Sequence, residues 1–320
     1  MKLLTRLLSL FKSTDPDDPA LAKALQRAAD RVEPLLRQTP GWPRRYRRPI
    51  AAALRQSRRV SATIPGPVEI DDEHYARDPF VHALFGSPDE IRRILSTSRV
   101  MRDYVAAGTN DEACALLTMR RLEKHTFGID MDGEVMRREM PQDVVWYTDH
   151  QLAGPAPSEA EARENLLWVQ FDHFLERVKA GVGHLQAERD RLAHAKDLAM
   201  ARLKAAESDR RAEQRQALEQ VLKQLAEITE TLELDHLAEV FGAVLSHPED
   251  CLFLQPHTLV LDGMGVVRPA RDQTATAASL DFMDLFERYE EPRTVVLVHC
   301  RNLCSILQDE PLTQAERWLV

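Results

Sequence analysis

The sequence predicts an α+β protein, predominantly α-helical, in which a small antiparallel sheet domain is interrupted by a long coiled-coil or helical-hairpin arm. Three observations predict it. The stretch from His184 to Phe241 contains neither Gly nor Pro and is rich in Ala, Leu, Glu, Gln, Lys and Arg, the strongest helix formers. Asp132-Gly133, the dipeptide a two-residue hairpin turn prefers, is flanked by Phe127, Ile129, Met131 and Val135. Thr294-Val295-Val296-Leu297-Val298-His299 is an apolar run of strand length, as expected of a central strand.

A chain of 320 residues can bury a core in one large domain or two ordinary ones. With 44% hydrophobic, 29% charged and 6% aromatic residues it reads as folded and helix-rich. The net charge of -9 offers no global attraction to nucleic acid or anionic lipid, so such binding needs a local patch. Cys114, Cys251, Cys300 and Cys304 are too scattered for a disulfide framework, which points to reduced thiols and a cytoplasmic setting. No run of apolar residues reaches the length of a membrane-spanning helix.

Read in order, residues 1–12 form an amphipathic helix with Leu3, Leu4, Leu7, Leu8 and Phe11 on one face, a candidate membrane contact. A linker at 13–19 follows, and Asp18-Pro19 starts a helix over about 20–37. Between Pro34 and Val68 there is no acidic residue, and Arg44, Arg45, Arg47 and Arg48 form the centre of an arginine cluster with Trp42 and Tyr46 among them. This is a candidate nucleic-acid or anion site, in which an aromatic ring stacks on a base. The acidic knot Glu69, Asp71, Asp72 and Glu73 is expected to fold back and neutralise part of the cluster. Helices are predicted at 79–85, 88–106 and 110–123, then a hairpin over 125–148 containing the strand Val144-Val145-Trp146-Tyr147.

The arm follows. Leu175, Val178, Val182, Leu185, Leu192 and Leu203 form one seam of heptad spacing, and Leu218, Val221, Leu225, Ile228 and Leu232 form a second, out of phase with the first. The polar decapeptide Glu207–Gln216 between them fits two geometries: one continuous helix covered by a second chain, or the tip of an antiparallel hairpin. A second hairpin is predicted around Asp262-Gly263. The domain reading is therefore 1–12, 13–19, a helical region with the first hairpin at 20–150, the arm at 151–250, and a second hairpin, a helix and the final strand at 251–320.

No catalytic set emerges. His299-Cys300 matches only the start of a cysteine-phosphatase loop, since Ile306 stands where the phosphate-clamping arginine belongs. His299, Cys300 and Cys304, with Cys251 or His257, lack the paired spacing of a structural zinc site. Asp130–Glu134 is a fragment of a calcium loop without its remaining ligands. No P-loop, dinucleotide glycine fingerprint or HExxH pair occurs, so no cofactor, metal or small-molecule substrate is expected. The functional expectation is a cytoplasmic scaffold or adaptor acting through the arm, by pairing with itself as a homodimer or by binding a protein partner. Its alternatives are a peripheral membrane factor anchored by 1–12 and a nucleic-acid-binding protein using the 37–59 arginines.

Overall fold

A computed structural model describes residues 18–39, 41–108, 111–132, 135–208, 210–233, 236–269, 277–288 and 290–307, with side chains described throughout except at 129–139. The expected helix at 1–12 and the calcium-like fragment at 130–134 therefore lie outside the residues whose side chains are described. The fold is α+β. The chain divides into two units, one made of Met1–Arg59 and Val169–Glu249, the other of Val60–Trp168 and Asp250–Val320.

The first unit is helical. Helix α1 (Pro19–Val32) begins where Asp18 accepts the Ala20 amide and Pro19 occupies the first turn. It stops short of the predicted 37, because Pro34 cannot continue an α-helix and opens a separate 3-10 turn at Pro34–Gln38. Helix α2 (Arg47–Thr63) follows, and α7 (Glu159–Ala205), α8 (Arg211–Thr231) and α9 (Leu237–Leu245) complete the set. Tyr46 and Phe241, both essentially buried, pack edge to face with ring centroids 5.2 Å apart. Asp172 of α7 takes Arg27 and Arg31 of α1, the latter at 2.8 Å, and so ties the two helices together.

The second unit holds the sheet and four short capped helices. These are α3 (Asp72–Arg77), α4 (Pro79–Leu84), α5 (Pro88–Thr97) and α6 (Arg99–Ala107), started by Asp71, Asp78, Ser87 and Ser98. Ser98 divides the single helix expected at 88–106, because its extended backbone ends α5 while its hydroxyl caps α6. The strands are β1 (Val68–Glu69), β2 (Ala113–Asp132), β3 (Val135–Ala156), β4 (Leu252–Leu261), β5 (Ala278–Glu287) and β6 (Arg293–Cys300). Their order is β3-β2-β6-β5-β4, antiparallel throughout, with β1 added parallel to β6.

Three expectations are corrected here. The helix predicted at 110–123 is the first half of β2: Ala113, Ala115, Leu117 and Met119 face the core while Cys114 and Leu116 are buried on the other side. Burial on both faces removes the alternation that would have marked a strand. The helix expected between the second hairpin and the last strand is β5, held by ten registered pairs to β4. The turn predicted at Asp262-Gly263 does fold the chain back antiparallel on β4, but the returning arm is an isolated bridge and not the full strand of a hairpin. Its far side, Gly265 to Arg268, bridges β4 and β3 through Leu261–Val267 and Val144–Val266, and so joins the two ends of the sheet. The predicted hairpin is present as the pairing of β2 with β3 out to Asp132–Val135, and β6 is central, with Thr294 to Val298 all buried.

Candidate functional site

The arm belongs to the first unit. Phe171, Phe174, Leu175 and Val178 are buried at its root, but beyond Val178 only Leu192 of α7 is. Val182, Leu185 and Leu203 are half-buried, as are Leu218, Val221, Leu225 and Ile228 of α8 and Leu232 at its C-terminal cap, and α8 has no fully buried residue. The chain doubles back. Near the root, a Cβ on Gly181 of α7 would lie 3.5 Å from Val244 of α9. At the far end, Leu203 and Lys204 of α7 line one groove with Arg211, Arg215 and Glu219 of α8. Of the two geometries the spacing allowed, the antiparallel hairpin is the one adopted. Its polar tip has no large apolar side chain to bury, so breaking the helix there costs only local propensity. Leu198, Met200 and Leu222 remain outside the seam, 52%, 41% and 43% exposed.

The arginine cluster lies mostly at the start of α2. Arg45 approaches Glu239 at 3.8 Å and Arg58 pairs with Asp18 at 2.9 Å, whereas Arg44, Arg47 and Arg48 have no ion-pair partner among the described residues. Arg47, Arg37 and Trp42 border a concavity of about 250 Å³. Tyr46 is not available to stack on a base, because it is buried against Phe241. The acidic knot does not neutralise these arginines either. Each of its members has a partner within the second unit: Glu69 with Arg301, Asp71 with His74, Asp72 with Arg92 and Glu73 with Arg77.

That knot builds a polar cluster the sequence did not disclose. Glu69, Asp71 and His74 place ligand-type atoms within 4.8 Å of one another, and His299 and Glu112, 3.2 Å apart, adjoin them. His74 is held above its ordinary pKa, chiefly by its hydrogen bond to Asp71. Asp71 is held below its own, burial being outweighed by the hydrogen bonds it accepts from the His74 amide and ring. With Arg301 2.7 Å from Glu69, the group works as an ion-pair staple of β1 and α3 to β6. The metal set considered from sequence does not assemble. His299 pairs with Glu112, Cys304 takes Asp111 as the acceptor of its amide, and burial pushes the Cys300 thiol up to about 12. A thiol so protonated is no nucleophile at neutral pH.

A second hidden cluster lies on the core face of the sheet. Asp284 of β5, almost fully buried, accepts Thr294 Oγ1 at 2.6 Å and lies 3.3 Å from Arg121 of β2 and 3.2 Å from His257 Nδ1 of β4. Arg121 also contacts His257 Nε2, and His257 stacks on Phe282. Burial holds the His257 pKa down, so the neutral ring accepts from Arg121 and faces Asp284 with Nδ1. The charges compensate one another inside the cluster, and the arrangement links β2, β5 and β4 across one face of the sheet. Nearby, a cleft of about 820 Å³ between α3–α4 and the Asp262–Gly265 turn is spanned by the contact of His82 Nε2 with the Gly263 carbonyl at 3.0 Å. Among the described residues, no nucleophile, base and orienting group converge in it.

No helix among the described residues is long and apolar enough to cross a membrane. Comparison with protein-family models, with curated proteins and with solved structures finds no match to this chain.

Proposed function

We propose that the chain is a scaffold or adaptor whose binding element is the helical hairpin α7–α8. One observation carries this reading: α8 bears an apolar stripe at strict three-four spacing yet buries none of its residues fully, and Leu198, Met200 and Leu222 stand outside the seam. An arm covered only by its own two strands of helix leaves apolar surface that association with another protein removes from water. The test is a photo-crosslinking residue at Leu222, with the same residue at the exposed Val100 of α6 as control. Discrete protein adducts from position 222 and none from 100 are expected; equal or absent adducts at both positions overturn the reading.

A second reading, binding of a polyanion such as nucleic acid, is favoured by Arg44, Arg47 and Arg48, which have no ion-pair partner among the described residues, and by Arg47 bordering a concavity with Trp42. It requires affinity that falls steeply with salt and vanishes when those three become Ala.

A further inference from the structure

We propose that Glu69, His74 and His299 hold a divalent transition-metal ion of the zinc type, with Asp71 and Glu112 orienting the two imidazoles. The inference is independent of the arm. Without metal the same residues form the staple described above; with metal, the ion takes the place of Arg301 at Glu69. The set differs from the cysteine-containing one weighed on sequence, with which it shares only His299.

The sheet brings the residues together from three stretches of chain. Glu69 of β1 and His299 of β6 are register partners in a parallel pair, so their side chains leave the same face. Glu112 directly precedes β2, whose Ala113 pairs with Cys300 beside His299. Helix α3 follows β1 at once, with Asp71 as its cap and His74 in its first turn.

The geometry converges on Glu69. His74 Nδ1 is 2.7 Å from Asp71 Oδ1, a carboxylate oxygen that can only accept, so Nδ1 carries the proton. The other nitrogen, Nε2, then presents its lone pair in the neutral ring and lies 3.4 Å from Glu69 Oε2. His299 repeats the arrangement with its nitrogens exchanged: Nε2 is 3.2 Å from Glu112 Oε2, and Nδ1 is 3.9 Å from Glu69 Oε1. Metal-ligating histidines are held in this way, one nitrogen fixed by a carboxylate and the other free to bind, and here two such rings face one glutamate. Donors about 2.1 Å from a tetrahedral zinc ion lie about 3.4 Å apart, the separation of His74 Nε2 from Glu69 Oε2.

Charge and access agree with this. Within the cluster, three carboxylates face one guanidinium, that of Arg301, which lies 2.7 Å from Glu69 Oε1 and 4.0 Å from Glu112 Oε1. Two negative charges are left for a divalent cation to neutralise. Glu69, His74 and His299 are partly exposed, so an ion reaches them from solvent, and Arg301, 44% exposed, has room to withdraw. Two imidazole donors select against calcium and magnesium, which take oxygen ligands.

Zinc titration of the full chain, first freed of metal by a chelator, tests the site. Competition with a chromophoric indicator reads affinity, and NMR of the histidine rings reads location. One equivalent is expected to bind, shifting the ring signals of His74 and His299 together while those of His247, an exposed ring beside Glu249, stay in place. Glu69→Gln and His74→Gln should each weaken binding at least tenfold, and Asp71→Asn about tenfold. Arg301→Gln should tighten it, because no guanidinium then competes for Glu69. Circular dichroism melts check that each variant is folded, and the NMR reading on the unaltered chain needs no variant. The site is overturned if the unaltered chain takes up no zinc at micromolar concentration, or if zinc binds without moving both rings. It is equally overturned if binding survives Glu69→Gln and His74→Gln undiminished, or is lost with Cys304→Ser, the one partly exposed thiol.

Discussion

Two glycines two residues apart give the sharpest test of how the sheet is closed. Gly263 and Gly265 share the turn after β4, where Asp262 accepts the amides of Met264 and Val266 at 2.9 and 3.0 Å. Gly265 has φ +76°, and a Cβ there would lie 2.6 Å from the Val145 carbonyl oxygen; a Cβ on Gly263 meets nothing within 4 Å. Gly265→Ala therefore takes on about 1–2 kcal/mol of left-handed strain. It also endangers the Val145 N–H to Gly265 carbonyl bond at 2.8 Å and its neighbour, Val267 N–H to the Asp143 carbonyl at 2.8 Å. At about 1 kcal/mol per hydrogen bond, offset by about 0.4–1 kcal/mol of reduced freedom in the unfolded chain, the net loss is about 2–3 kcal/mol. For a unit of this size that lowers its unfolding temperature by about 4–12 °C. Gly263→Ala should be neutral or stabilising by up to about 1 kcal/mol. Differential scanning calorimetry reads the pair, and amide exchange at Val145 reports closure directly. Equal effects of the two substitutions, or an unchanged Val145 amide in Gly265→Ala, would refute the claim that this turn joins β3 to β4.

Three further outcomes follow from the same geometry. Phe241→Ala empties the fully buried site against Tyr46 and should cost about 3–5 kcal/mol, read as a lower urea midpoint for loss of helical ellipticity; a cost below about 1 kcal/mol would place Phe241 outside the core. His74 gains a partner on folding, so its contribution is complete below its ordinary 6.5 and is lost as pH rises through the elevated folded value; Asp71→Asn should bring the ring's NMR titration back toward 6.5, and an unmoved titration would detach the staple from Asp71. His150 has the opposite sign: burial lowers its pKa while it stacks on Phe85 and its Nε2 reaches the Leu84 carbonyl at 2.8 Å. The unfolded chain then binds more protons as pH falls below 6.5, stability declines toward the folded value, and His150→Gln should flatten that acid slope in calorimetric scans.

What the sequence disclosed depends on how local the cause was. Asp18 and Ser87 cap helices by bonds spanning two or three residues, so these starts are readable from neighbours in the chain. The strand state of Ala278-Ser279-Leu280-Asp281-Phe282-Met283-Asp284-Leu285-Phe286-Glu287 is imposed instead by β4, some twenty residues away, and its Ala, Leu, Met and Glu favour helix equally. Asp284, His257 and Arg121 come from three strands and form no linear pattern. The acidic knot illustrates the same limit: charge order along the chain suggested partners among the arginines just upstream, while the bonds actually made reach to Arg92 and to Arg301.

The arm lies between these cases, and its partial legibility bears on its use. Spacing of three and four establishes that Leu218, Val221, Leu225, Ile228 and Leu232 lie on one face of a helix, but not how much covers that face. Coverage is a tertiary property, and here one helix supplies it, leaving all five half-exposed. A heptad stripe covered by a single neighbour retains part of the free energy that selected its leucines. A protein partner seated on that face would remove that remainder from water.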